Sequence, residues 1–292
     1  IFTLFMLSIV SYFKQKVNVI PLFINHINIS MISNPIKSIF KDEHNEQKDF
    51  GWNEYTLEEL GLPTVDKILK GVKEIEAKIG LTGWRTRNNT SEKYKGFGLT
   101  YNPTFFDKSE SRYSQVWGSS LLHQVYGLEK GLGDHTQLKD TYHDTFGFRK
   151  IDDVIQEHLG FFLDKFNFHI SRSRVAYLYG YGQEANIKGW HVDEPTSQLL
   201  RINIPLQTSD EYAIEWKDKV YQLELGKAYL WNTRMPHRIS IVKKVESKEP
   251  RINLVLGLTP WLNYNPNTDT YTPNKYFGKS INEIVKQRLF VK

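Results

Sequence analysis

Residues 198–206, QLLRINIPL, and 251–258, RINLVLGL, decide how this chain folds. In the first run Leu200, Ile202, Ile204 and Leu206 hold alternate positions, with Arg201, Asn203 and Pro205 between them. In the second, Ile252, Leu254, Leu256 and Leu258 alternate against Arg251 and Asn253. Side chains two apart in a strand share a face, so each run predicts a strand with one apolar and one polar side. Such a polar side looks either into a cavity or out to water, and the alternation by itself fits both.

Outward from these two runs, short strand-like pieces recur between turns: 174–179, 187–192, 212–216, 220–224, 227–231 and 237–242. Together the eight predict a jelly roll, a cupin-like double-stranded β-helix, over about residues 173–258. Helices are expected to flank it. Val65, Ile68, Leu69, Val72, Ile75 and Ile79 recur at helical spacing behind Thr64 and ahead of Gly80. Ile151, Val154, Ile155, Leu159, Phe162 and Phe166 mark a second helix, and residues 281–289 a last one. The fold class expected is therefore α+β. Residues 31–56 read as a polar lead-in and 81–149 as irregular structure around a site, with a strand-like piece at 97–101 and a lid over 94–101. A single domain is expected over 31–292.

Residues 1–30 stand apart. Ile1 to Phe13 is almost wholly apolar, short for a membrane span, and without a basic stretch before it. A truncated anchor, a cleaved leader and sequence foreign to the native protein are the three readings. A membrane partner is expected only if this segment is a true anchor.

The composition narrows the chemistry. The chain has no cysteine, which removes disulfides, thiolate metal sites and cysteine nucleophiles, and fits a reducing, cytoplasmic location. Its net charge of +5 over 292 residues is spread among acids, as in Lys70-Gly71-Val72-Lys73-Glu74, and forms no phosphate track. A nucleic-acid partner is not expected.

Gly189-Trp190-His191-Val192-Asp193 holds the chemistry. A His and an Asp two apart on one strand can converge on one cation. With nine histidines, a chance His-x-Asp is to be expected roughly one time in two. A lone His191 would then be only a hydrogen-bonded residue near a sheet edge. Order strengthens the motif. His237 opens a later strand, and Arg251 opens the last, fourteen positions beyond it. Two histidines and a carboxylate form a facial triad that leaves open positions on iron(II), whereas a structural zinc site is closed. His191, Asp193 and His237 are thus the candidate metal ligands and catalytic centre.

In that order, His191-x-Asp193, His237 and Arg251 resemble the iron(II)- and 2-oxoglutarate-dependent oxygenase superfamily. Leu200-Arg201-Ile202-Asn203-Ile204-Pro205-Leu206 and Gly226-Lys227-Ala228-Tyr229-Leu230-Trp231-Asn232 look like its aspartyl/asparaginyl β-hydroxylase branch, which includes free-proline hydroxylases. The likeness covers roughly residues 173–258. It implies Fe(II), 2-oxoglutarate and O2, with ascorbate stimulatory. It implies that Arg251 grips the far carboxylate of 2-oxoglutarate through a bidentate pair. Arg201 and Asn203 would help hold the iron-side carboxylate, although the family often has His where Asn203 stands. Asp193 favours hydroxylation, because halogenating relatives leave that position empty.

The activity implied is hydroxylation of an unactivated C–H bond in a small carboxylate-bearing molecule such as a free amino acid. A peptidyl Asp/Asn hydroxylase and a non-enzymatic cupin-like binding protein are the alternatives. Relatives that demethylate nucleic acid carry an arginine six residues after the co-substrate arginine, and here that position is Gly257. Arg172, Arg174 and Arg234 are candidates to pair a substrate carboxylate. Trp84, Tyr94, Tyr101 and Trp190 are candidates to line the pocket, although aromatics more often belong to a core. His123, His135 and His143, with Asp134 and Asp144, fit no ligand spacing. Gly131-Leu132-Gly133 is too short for a nucleotide loop, and Asn88-Asn89-Thr90-Ser91 offers glycosylation-type sequons of use only in an exported chain.

Overall fold

In the computed structural model the described residues are 50–86, 89–101, 103, 148–184, 189–194 and 196–292. The first half contributes β1 (Asn53–Thr56), α1 (Val65–Ile79), β2 (Thr82–Thr86), β3 (Asn89–Gly98), β4 (Thr100–Tyr101), β5 (Lys150–Ile151) and α2 (Asp153–Leu163). The second contributes β6 (His169–Leu178), β7 (Leu200–Gln207), β8 (Tyr212–Trp216), β9 (Lys219–Tyr221), β10 (Lys227–Leu230), β11 (His237–Ile241) and β12 (Arg251–Thr259). The hairpin β13 (Leu262–Asn265) and β14 (Thr270–Pro273) and the helix α3 (Ile281–Lys286) close the chain.

Seven strands form one antiparallel sheet in the order β1-β10-β7-β12-β6-β3-β2, and β11-β8-β9 form a smaller one. An isolated antiparallel bridge between His191 and His237 ties the segment after β6 to the small sheet. From β6 onward the chain therefore crosses back and forth between the two sheets: β6 large, His191 small, β7 large, β8 and β9 small, β10 large, β11 small, β12 large. That alternation is the jelly roll the strand pattern predicts.

The apolar sides of β7 and β12 are closed to water, with Leu200, Ile202, Ile204, Ile252, Leu254, Leu256 and Leu258 all fully buried. Helix α1 packs on this large sheet at β7 and buries Ile68, Val72 and Ile75. Each such side chain withdrawn from water contributes about 1.5–3 kcal/mol before the entropy of ordering it is counted. The two helices cross closely at Gly71, where a Cβ would stand 2.5 Å from the carbonyl oxygen of His158. With one side of the large sheet packed this way, the polar sides of β7 and β12 face the small sheet across the roll.

Several elements differ from the sequence expectation. Residues 53–56 are not a loose lead-in. They pair in register with β10, from Asn53 opposite Leu230 to Thr56 opposite Lys227. Residues 82–86 and 89–98 are not irregular, since β2 and β3 extend the large sheet beyond β6. Tyr94 to Tyr101 is accordingly no lid: Tyr94 pairs opposite Leu178 and Gly98 opposite Arg174, and Phe97 and Leu99 are core residues. The strand expected at 187–192 is reduced to the bridge at His191, and residues 187 and 188 lie outside the described residues. The helices expected at 151–166 and 281–289 span Asp153–Leu163 and Ile281–Lys286. His123, Gly131, Leu132, Gly133, Asp134, His135, His143, Asp144, Asn88 and the segment 1–30 also lie outside the described residues. Among the described residues no helix is long and apolar enough to cross a membrane.

Candidate metal centre

Backbone pairing brings the three predicted ligands together. The His191 N–H donates to His237 O at 3.1 Å and the His237 N–H to His191 O at 3.0 Å, so both side chains leave the small sheet on the same side. Their ring centroids stand 4.4 Å apart. Beyond this isolated bridge the Asp193 N–H donates to Thr233 O at 2.8 Å. Held there, Asp193 brings its carboxylate to the side on which the two imidazoles stand. One ligand atom from each of His191, Asp193 and His237 lies within 4.8 Å of the others.

The tautomers suit metal binding. Nδ1 of His237 lies 2.9 Å from Met235 O, and Nδ1 of His191 lies 3.1 Å from Gly189 O. A carbonyl can only accept, so in the neutral ring each Nδ1 carries the hydrogen and each Nε2 keeps its lone pair. Nε2 of His237 points to Asp193, 3.5 Å from Oδ2. A backbone partner for the outer ring nitrogen is the usual support of a ligating histidine.

The centre opens into a cavity holding about 520 Å³ of empty space, part of it open to solvent. The polar side of β7 supplies Arg201 and Asn203, β12 supplies Arg251 and Asn253, and Arg174 and Tyr94 come from β6 and β3. The two predicted polar strand faces therefore look inward. Arg251 is 4% exposed, and among the described residues no carboxylate lies within ion-pair distance of it. Burial lowers its pKa to about 10, against support from Tyr94 and Tyr212. It remains a cation at neutral pH.

A second carboxylate, Glu194, organises the metal side and was not foreseen from the sequence. It forms ion pairs with Arg172 and with Arg201, the latter at 2.5 Å. Its backbone carbonyl accepts from the Thr233 hydroxyl at 2.8 Å. Burial opposes its charge, but Arg172 and Arg201 outweigh burial and hold its pKa near 2. Asp193 is only partly buried, and Arg201, His237 and His191 hold it well below the ordinary carboxylate range against the desolvation that opposes its charge. Nε of Arg201 stands 3.7 Å from Asp193 Oδ2. Arg201 is thus already engaged by two acids, while the Asn203 amide oxygen accepts from Asn253 at 3.1 Å.

Of the remaining candidates, Arg174 and Tyr94 line the cavity; Arg172 is taken by Glu194. Arg234 and Tyr101 do not line it. Trp190 does not either: lying between the inward His191 and the segment before it, it is 48% exposed and packs under Arg238, 4.7 Å from the ring centre. The side chain of Trp84 is outside the described residues.

Neither a protein-family model nor a curated protein matches this sequence. Solved structures do. An oxidoreductase of the 2OG-Fe(II) oxygenase family from Burkholderia pseudomallei aligns with 74% of this chain and 89% of its own at 12% identity, with a TM-score of 0.35. The non-heme alpha ketoglutarate dependent epimerase SnoN from nogalamycin biosynthesis aligns over 77% and 84% at 10% identity, with a TM-score of 0.37. IDO from Bacillus thuringiensis aligns over 80% and 99% at 10% identity, with a TM-score of 0.34. The jelly roll follows from the strand order given above without them.

Proposed function

We propose that this chain is an iron(II)- and 2-oxoglutarate-dependent oxygenase that hydroxylates a small carboxylate-bearing molecule such as a free amino acid. One observation carries the reading. Two histidines that turn Nδ1 to a backbone carbonyl and one carboxylate converge in the same cavity as a buried arginine that lacks a carboxylate partner among the described residues.

The donor set fits the metal: two imidazoles and one carboxylate leave open positions, as oxidising iron chemistry needs and structural zinc does not. His191, Asp193 and His237 would hold it. Bound there with 2-oxoglutarate and dioxygen, the iron would supply the oxidising power for C–H hydroxylation, with succinate and carbon dioxide as co-products. The chain's own residues bind and orient. Arg251 offers its planar fork to the far carboxylate of 2-oxoglutarate. Arg201, fixed by Glu194, braces Asp193 through its buried Nε and would help hold the metal-side carboxylate. Asn203 and Asn253 complete that wall. Arg174, across from the small sheet, is assigned to the substrate carboxylate.

The test is a succinate-release screen over free amino acids and peptides, with Fe(II), 2-oxoglutarate and ascorbate. Succinate stimulated by one or a few free amino acids, and lost in His237→Ala, is expected. Stimulation only by a peptide or folded protein would move the reading to side-chain hydroxylation, the peptidyl Asp/Asn alternative. No succinate with any addition, and no 2-oxoglutarate binding, would leave a cupin-like binding protein.

A further inference from the structure

Behind the metal centre stands a stack of oxidisable rings. Trp231 forms part of the cavity wall, its ring centre 5.9 Å from that of His237. Trp52 lies on Trp231 at 5.0 Å with the planes 11° apart. The other face of Trp52 is covered by Tyr221 at 3.8 Å, again with planes 11° apart. Trp216 and Tyr229 flank Trp52 at 6.2 and 5.7 Å. Tyr221 sits on β9, the outer strand of the small sheet, and is partly exposed.

Packing alone does not explain this composition. Phe is the commonest aromatic in the chain, with 17 against 16 Tyr and 7 Trp. Yet the aromatic members of this cluster are Trp and Tyr, with no Phe among them. Phe fills space as well, but its ring is far harder to oxidise. The indole nitrogens of Trp52 and Trp231 are also buried without a hydrogen-bond partner among the described residues. A buried orphan donor is destabilising, and such a group calls for a reason. A redox role supplies one. An oxidised indole that cannot hand its N–H proton to an acceptor stays a mobile cation, and the vacancy passes on. It stops where a proton can leave, which is the partly exposed phenol of Tyr221.

We propose that Trp231, Trp52 and Tyr221 form a path that drains an oxidising equivalent from the metal centre when no substrate is placed to receive it. This rests on the oxygenase reading for the source of the oxidant, which is dioxygen or a peroxide activated at the metal. The oxidant takes one electron from Trp231 and one proton from water. Trp52 refills Trp231 and Tyr221 refills Trp52. Tyr221 releases its phenolic proton to solvent and becomes a neutral phenoxyl radical. The net change is one hydrogen atom moved from the Tyr221 O–H to the oxidant. Ascorbate then returns a hydrogen atom to Tyr221, which gives the reductant a place to act on the surface.

The test uses the full chain loaded with Fe(II) without oxygen, then mixed with hydrogen peroxide, with no 2-oxoglutarate and no substrate. Rapid-freeze electron paramagnetic resonance and peptide mass spectrometry read the outcome. A tyrosyl signal is expected in the native chain, abolished by ascorbate and absent in Tyr221→Phe. In that variant one-oxygen adducts should accumulate severalfold on the peptides carrying Trp231 and Trp52, and the site should lose iron binding severalfold faster. Trp52→Phe, which keeps a ring in the stack, should also lose the tyrosyl signal, with adducts on Trp231 alone. Unchanged thermal midpoints would show that both variants fold. An identical tyrosyl signal in Tyr221→Phe, or adducts confined to the ligand histidines in all three proteins, would overturn the path. Failure of the chain to bind iron would overturn the path and the metal reading together. Intact path signals in a protein that never consumes 2-oxoglutarate would overturn only the co-substrate reading.

Discussion

Arg251 brings a full charge into a buried wall where, among the described residues, no acid meets it. A buried cation is costly unless paired, so a ligand carboxylate that completes it gains the strength of a desolvated, charge-assisted pair. Arg251→Lys keeps the charge and loses the fork. The loss of one hydrogen bond to a charged group, worth about 1.5–3 kcal/mol, should weaken 2-oxoglutarate binding roughly 10- to 100-fold. Anaerobic titration checks this, and equal affinity in the variant would place the far carboxylate elsewhere. Glu194 makes the opposite case. Glu194→Gln would leave Arg172 and Arg201 buried without their acid, an effect of about 3–5 kcal/mol for a broken buried pair. Denaturant unfolding should show that loss, and iron affinity should fall with it because Arg201 would then compete for Asp193. The ligands were legible in the sequence because alternation across a strand fixes which side chains share a face. Glu194 was not, because alternation puts it opposite Asp193. The chain bends at Glu194, beyond the isolated bridge at His191, and brings that side chain to Arg201.

At the scale of elements, β12 shows what a pattern can and cannot say. Its alternation foretold an apolar and a polar face, but not the shift in register with β6 between Val255 and Gly257. At that irregularity Gly257 lies against β6. A Cβ there would stand 2.4 Å from Ser171 O and 2.6 Å from the Leu199 side chain. The position at which nucleic-acid demethylases carry an arginine is therefore closed by backbone. Gly257→Ala should destabilise the fold by about 1–3 kcal/mol through overpacking, read as a lowered denaturation midpoint. A neutral result would mean that β6 and β12 can part locally. Edge elements were the least legible. The β1 sequence Asn53-Glu54-Tyr55-Thr56 is polar, and it is held by ladder pairing with β10 rather than by an apolar face. The β13–β14 hairpin was missed for the same reason, with only Leu262 buried in β13. This hairpin also covers His169, whose ring lies 4.6 Å from Tyr264 and 5.5 Å from Tyr271. Burial, then the nearby Arg149 and Lys150, lowers the His169 pKa from 6.5 to about 3. The unfolded chain thus binds a proton that the folded chain refuses. Stability from this group is complete above pH 6.5 and declines as pH falls from there toward 3. His169→Phe should flatten the acid limb of a thermal-midpoint profile across that window. A limb of unchanged slope would assign the acid sensitivity to other groups.

For the molecule as a whole, the scaffold answers to folding measurements and the site to binding. Strand order makes the roll, and the roll turns the polar sides of β7 and β12 toward the His-Asp-His cluster on the small sheet. A ligand that binds only the folded state raises stability, by about 2.7 kcal/mol when its free concentration is a hundred times its Kd. Fe(II) should therefore raise the thermal midpoint of the native chain, and His237→Ala should abolish the rise while keeping the fold. The most direct measurement is anaerobic calorimetric titration of 2-oxoglutarate into the chain with and without Fe(II). One-to-one binding that requires the metal, weakens strongly in Arg251→Lys and vanishes in His237→Ala is expected. Binding of equal strength with and without Fe(II), indifferent to both substitutions, would contradict it.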